Sequence, residues 1–168
     1  MGISLVPSTP HEGLTLLSTT TLSGATTTIS NIPQNYRSLY LVVTNMINAT
    51  AAGTFRIAPN GSTNKVNSMI SYKTSTTAVT HTGLNADYLR TATSIQLSSN
   101  NQFIINIHDY NTTAEKVLTM QCSVVASNEG RQEDCTGFYF EGLAITSLVF
   151  SNSGGNLSSG TIKLYGVN

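Results

Sequence analysis

The side chains that could carry chemistry are few and scattered. The three histidines, His11, His81 and His108, lie far apart in the 168-residue chain, whereas zinc sites usually show at least one close pair of ligands. His108 and Asp109 are neighbours, but adjacent residues at a strand end point to opposite faces and do not converge on one ion. Calcium needs oxygens at alternating positions around a glycine turn, and the acidic segment from Ser127 to Cys135 lacks that spacing. Serine and threonine abound, yet a hydroxyl becomes a nucleophile only beside a base, and no histidine shows a local partner. No Gly-x-Ser-x-Gly elbow, phosphate loop, dinucleotide fingerprint or Cys-x-x-Cys pair occurs. A glycosidase-type carboxylate pair can come from distant segments, although only eight carboxylates are available. The expectation is a non-enzymatic protein with no catalytic residue, no metal and no cofactor.

Other residue types suggest contact. Glu129, Arg131, Glu133 and Asp134 concentrate charge in what reads as a hairpin loop, which is either simply solvated or meets a basic patch on a partner. Tyr40, Tyr88, Tyr110, Tyr139 and Tyr165 fall at strand or strand-end positions among polar neighbours. Half-exposed tyrosines suit an interface or a carbohydrate platform. The absence of tryptophan tilts this towards protein contact. Cys122 shares a strand face with Leu118, Met120 and Val124 and reads as a buried small hydrophobe. Cys135 follows the charged segment and is expected to be partly exposed. Two free thiols are favoured over a Cys122–Cys135 disulfide, which the sequence leaves open.

Composition narrows the partners. Charged residues make up 10% of the chain and the formal net charge is zero, so no basic field attracts phosphates and nucleic acid is not expected. Low charge weakens the usual defence against self-association, which suits either an assembled protein or a neutral, hydroxyl-rich surface. No stretch approaches the roughly 18 apolar residues of a membrane span. The N-terminus lacks the basic region and apolar core of a secretory signal. Val6 stands where a myristoylation motif wants Ser or Thr. A cytoplasmic origin is the expectation, and the Asn-x-Ser/Thr sequons at Asn48, Asn60, Asn111 and Asn156 then carry no glycan.

The elements that would position these residues are strands. Leu39, Leu41 and Val43 fall on one side of a strand, as do Phe103, Ile105 and Ile107, and then Ile162 and Leu164, with Lys163 facing water. Period-two alternation with one polar face is what a two-layer antiparallel sandwich requires. Weaker strands are expected over 14–21, 26–30, 54–58, 67–73, 93–98, 136–141 and 144–151. Ser23-Gly24, Asn60-Gly61 and Ser153-Gly-Gly-Asn156 supply tight turns between them. Gly83–Arg90 is the sole helical candidate. The expected fold is all-β: an antiparallel two-sheet sandwich, jelly-roll-like, with about ten strands in a single domain over 13–168. Residues 1–12 read as an extended N-terminal arm, because Pro7 and Pro10 disfavour helix in the residues before them. Ile3, Leu5 and Val6 give that arm something to bury against a partner.

Two stretches carry a resemblance. From Leu16 to Leu41 a Ser/Thr-rich strand leads into Ile32-Pro33-Gln-Asn-Tyr36 and then a strand bearing Leu39 and Leu41. The chain closes on Ile145-Thr-Ser-Leu-Val-Phe150, a Gly/Asn loop and Gly160-Thr-Ile-Lys-Leu-Tyr-Gly166. Together, roughly a third of the sequence resembles a group of small tailed-bacteriophage virion proteins. The resemblance implies a β-sandwich located on the virion, made in the bacterial cytoplasm and often homo-oligomeric. The chain has no heptad stem or collagen-like shaft, so a capsid decoration (cement) protein fits better than a tail-fibre module. Its partner would be the major capsid protein or another virion protein. The rival is an adhesin that recognises a host-surface receptor, glycan or protein.

Overall fold

The computed structural model of the chain describes residues 13–62, 66–74, 77–84, 88–91, 94–97, 100–126 and 128–168, with the backbone alone over 66–74 and 77–84. The expected N-terminal arm, with Ile3, Leu5 and Val6, lies outside the described residues. Within them every regular element is a strand. The first four are β1 (Leu14–Thr21), β2 (Thr26–Ile29), β3 (Ser38–Asn48) and β4 (Phe55–Pro59). There follow β5 (Val66–Thr74), β6 (Thr77–Leu84), β7 (Leu89–Arg90) and β8 (Asn101–His108). The last are β9 (Lys116–Ala126), β10 (Glu129–Tyr139), β11 (Leu148–Asn152) and β12 (Leu157–Val167). Where it is described, the helical candidate Gly83–Arg90 is extended, its ends belonging to β6 and β7. Of the strand expected over 93–98, the described residues 94–97 hold one bridge, between Ile95 and Gly53.

The strands form two antiparallel sheets, ordered β1-β12-β3-β8-β9-β10-β5-β6 and β2-β11-β4-β7. Their nesting defines the winding. β1 pairs with β12, β2 with β11, β3 with β8 and β4 with β7. This is a jelly roll, in which an antiparallel ribbon folds over so that its halves lie in opposite sheets. The remaining four strands form two hairpins, β5–β6 and β9–β10. They are inserted after β4 and β8 and widen one sheet to eight strands. The described residues hold twelve strands, in keeping with the expected ten or so, and β6 and β7 border the segment read as a helical candidate.

The inner faces follow the sequence pattern. Leu39, Leu41 and Val43 of β3 and Phe103, Ile105 and Ile107 of β8 are buried against Phe55, Ile57, Leu148 and Phe150 of the small sheet. Phe55 lies between Phe103 and Phe150, with ring centroids at 4.4 and 6.1 Å. Each such side chain contributes about 1.5–3 kcal/mol by leaving water.

The two stretches that carry the resemblance meet at one end of the roll, where β3, β10 and β12 exchange with loops. Tyr36 lays its ring on Gly166, where a Cβ would stand 2.4 Å from the ring. Only glycine admits that approach, so the Tyr36 corner and the final glycine form one packing unit. At the other end of β12, Gly160 adopts φ +128° at a bulge against β3. It accepts a hydrogen bond from Leu22 there.

Candidate functional site

The end of the roll that holds the Tyr36 corner is bound by side-chain amides. Asn111 donates to the carbonyls of Gln34 and Tyr36 at 3.1 and 3.0 Å. Gln34 donates to those of Ile32 and Ile145 at 2.7 and 3.1 Å. Asn60 accepts from the amides of Thr146 and Ser147 and donates to the Ala144 carbonyl and the Tyr139 hydroxyl. Tyr110 donates to the Pro33 carbonyl. Irregular loops lack a ladder partner for their backbone groups, and these amides supply it.

One cluster of titratable groups lies here. Lys116 is buried, donates to the Ala114 carbonyl at 2.6 Å and sits over the Tyr139 ring at 5.7 Å. Burial lowers its pKa. Tyr139 donates to the Glu141 carboxylate, and its pKa is pushed up to about 12 by burial and by that hydrogen bond. The protonated phenol ties β10 to Glu141 at the start of the 140–147 loop, and the lysine, anchored to the Ala114 carbonyl, packs against its ring.

The charged residues named from the sequence do not form a loop. β9 ends at Ala126 and β10 begins at Glu129, so Glu129, Arg131, Glu133 and Asp134 belong to β10, a strand paired with both β9 and β5. Alternation divides them. Glu129 and Arg131 are half-buried and 3.9 Å apart, and Glu133 is buried at 1% exposure. Asp134 alone of the four is exposed on the opposite face. Charge density misled the reading, because a strand in mid-sheet can turn acids to either side. Cys135 is buried, not partly exposed, and both thiols are free. They stand diagonally across β9 and β10, and their mutual hydrogen bond, with burial, holds the Cys122 thiol well above its ordinary pKa. Tyr110 and Tyr139 are fully buried rather than half-exposed, while Tyr40, Tyr88 and Tyr165 remain half-exposed. Among the described residues, no three His, Cys, Asp or Glu side chains converge as metal ligands.

Two surfaces remain as candidates. At the Tyr36 end, Leu14, Leu16, Val117, Phe140 and Leu143 are exposed, five of the seven large apolar side chains exposed among the described residues. Phe140 stacks on half-buried Phe138 at 6.3 Å. The second surface is a trough of about 360 Å³ on the outer face of the eight-stranded sheet, across β3, β8, β9 and β10. Val42 and Ile104 form its apolar centre, with Gln102, Gln121, Ser123, Gln132 and Asp134 around them. Sequence reasoning placed Asp134 in a contact segment but missed the rest, since period-two alternation marks them only as outward. Compared with protein families, with curated proteins and with solved structures, the chain matches none.

Proposed function

We propose that this chain is a non-enzymatic structural protein of a tailed-phage virion, a capsid decoration protein that binds the assembled major capsid lattice. The observation that carries the reading is the exposure of Val117, Phe140 and Leu143 beside the ends of β9 and β10, with Leu14 and Leu16 exposed on the edge strand β1 at the same end of the sheet. Exposed apolar groups concentrated in one region mark a contact with another protein. The resemblance supplies the kind of partner. β1 begins at the same end, with exposed Leu14 as its first residue. Binding the assembled lattice alone would stabilise it by mass action, with the gain growing as the logarithm of free protein over its dissociation constant.

The test mixes purified protein with phage shells that lack it and counts bound copies by cryo-electron microscopy. Hundreds of ordered copies at lattice positions are expected, with the Tyr36 end facing the shell. The pair Phe140→Asp and Leu143→Asp should weaken binding at least about tenfold, since each side chain contributes about 1.5–3 kcal/mol when fully buried. Signal confined to the tail or to host cells would overturn the decoration reading in favour of an adhesin.

A further inference from the structure

The trough has a composition of its own. Strand register sets Lys163, Val42, Ile104, Gln121 and Asp134 side by side in one row across β12, β3, β8, β9 and β10. The next row holds Gln102, Ser123 and Gln132. On the other flank Tyr165, Tyr40, Asn106, Thr119 and Thr136 form a third row. Neighbouring strands are about 4.8 Å apart and same-face rows about 7 Å. The volume, about 360 Å³, falls within the usual range of small-molecule sites, roughly 300–1,000 Å³.

Gln102, Gln121, Ser123, Gln132 and Asp134 are all exposed. Within the described residues their side chains take part in no hydrogen bond or ion pair. The sheet satisfies its own backbone, so the fold has no use for these amides. They surround an apolar centre in which Ile104 is 39% exposed. Tyr40 and Tyr165 stand one row away with ring centroids at 6.1 Å. Phe103, Cys122 and Glu133 also border the trough, but they are buried on the inner face and present only backbone to it.

We infer that this trough binds an uncharged carbohydrate chain. A sugar ring has an apolar C–H face and a rim of hydroxyls that both donate and accept. Val42, Ile104 and the tyrosine pair match the face. Three carboxamides and a serine match the rim with groups that also donate and accept, and the Asp134 carboxylate accepts from paired hydroxyls. Among the described side chains, Asp134 at one end of the row is offset by exposed Lys163 at the other, so no net charge there draws a polyanion. A protein partner would find a face poorer in aromatic and arginine anchors than interface cores usually are. The inference does not rest on the capsid reading, although Leu16 and Val117 border the third row on the same face of the sheet.

The test is a nuclear magnetic resonance titration of the isolated protein with cellohexaose, maltohexaose and a mannan hexasaccharide, and with hexagalacturonate as the anionic probe. At least one neutral probe should move the side-chain amide signals of Gln102, Gln121 and Gln132 in a saturable way, while hexagalacturonate leaves them in place. Gln121→Ala should weaken that binding about tenfold, a typical upper value for one lost hydrogen-bonding group. Asp134→Asn tests the carboxylate separately, and unchanged signals from the opposite sheet establish that each variant is folded. The inference is overturned if no neutral probe moves the trough signals, if the moved signals lie elsewhere, or if both variants bind like the parent. Stronger binding of the anionic probe, or trough shifts with protein concentration alone, would also overturn it.

Discussion

The same side chain has opposite uses at the Tyr36 end and in the trough. Asn60, Gln34 and Asn111 are spent on the carbonyls and amides of loops. Gln102, Gln121 and Gln132 are exposed and bond to nothing described. The difference lies in the backbone behind them. A loop packed across the end of a roll leaves peptide groups without ladder partners, and each unsatisfied group costs about 1–3 kcal/mol. A strand in mid-sheet leaves none, so a polar side chain on its outer face is free for a ligand. Amides at the Tyr36 end therefore hold the fold, and those in the trough are available for binding.

Substitutions can break this contrast in graded steps. Gly166→Ala should have the largest effect, about 3 kcal/mol or more of lost stability, because its Cβ would drive into the Tyr36 ring. Thermal unfolding measures it, and in a Tyr36→Ala background the same change should cost far less. An undiminished cost in that background would mean that the ring is not the obstacle. Asn60→Ala follows at about 2–3 kcal/mol, since it strips partners from three loop positions and from Tyr139. Denaturant unfolding should show a lower midpoint with an unchanged slope.

A smaller effect concerns alkaline pH. Tyr139 holds its proton up to about 12 in the folded protein, against 10.0 for an ordinary phenol. Its contribution is therefore whole below the lower value and declines as pH rises towards the higher. The lowered pKa of Lys116 acts in the opposite sense. Tyr139→Phe should flatten the loss of stability over that window in stepped-pH unfolding, and identical slopes would refute the assignment. The smallest change belongs to the trough. Gln121→Ala should alter stability by no more than about 0.5 kcal/mol, as expected for an exposed side chain that supports nothing. A larger loss would erase the contrast between the two regions.

Much of the architecture was legible in the chain. Alternation at Leu39, Leu41 and Val43, at Phe103, Ile105 and Ile107, and at Ile162 and Leu164 fixes which face is buried, because a strand's side chains alternate by geometry. All eight of these residues are buried. β1 occupies the expected span, Leu14–Thr21. The charged start of β10 was misread as a loop, since one of its neighbours in the sheet, β5, comes from a distant part of the sequence and leaves no local mark on it. Asn60 was legible as a turn residue but not as the fastening of the 140–147 loop, which lies more than 80 positions away.

What the sequence determined alone is local: strands, turns, and glycines at positions 160 and 166 in a patterned ending. Periodicity and backbone freedom act over a few residues and leave their mark on the chain directly. The tertiary structure decided which strands became neighbours. That choice laid Tyr36 on Gly166, buried Glu133 while leaving Asp134 exposed, and aligned Gln102, Gln121 and Gln132 from three strands into one trough. Cross-strand register is set by the packing of the whole sandwich, because a shift of one residue would turn every buried side chain to the opposite face.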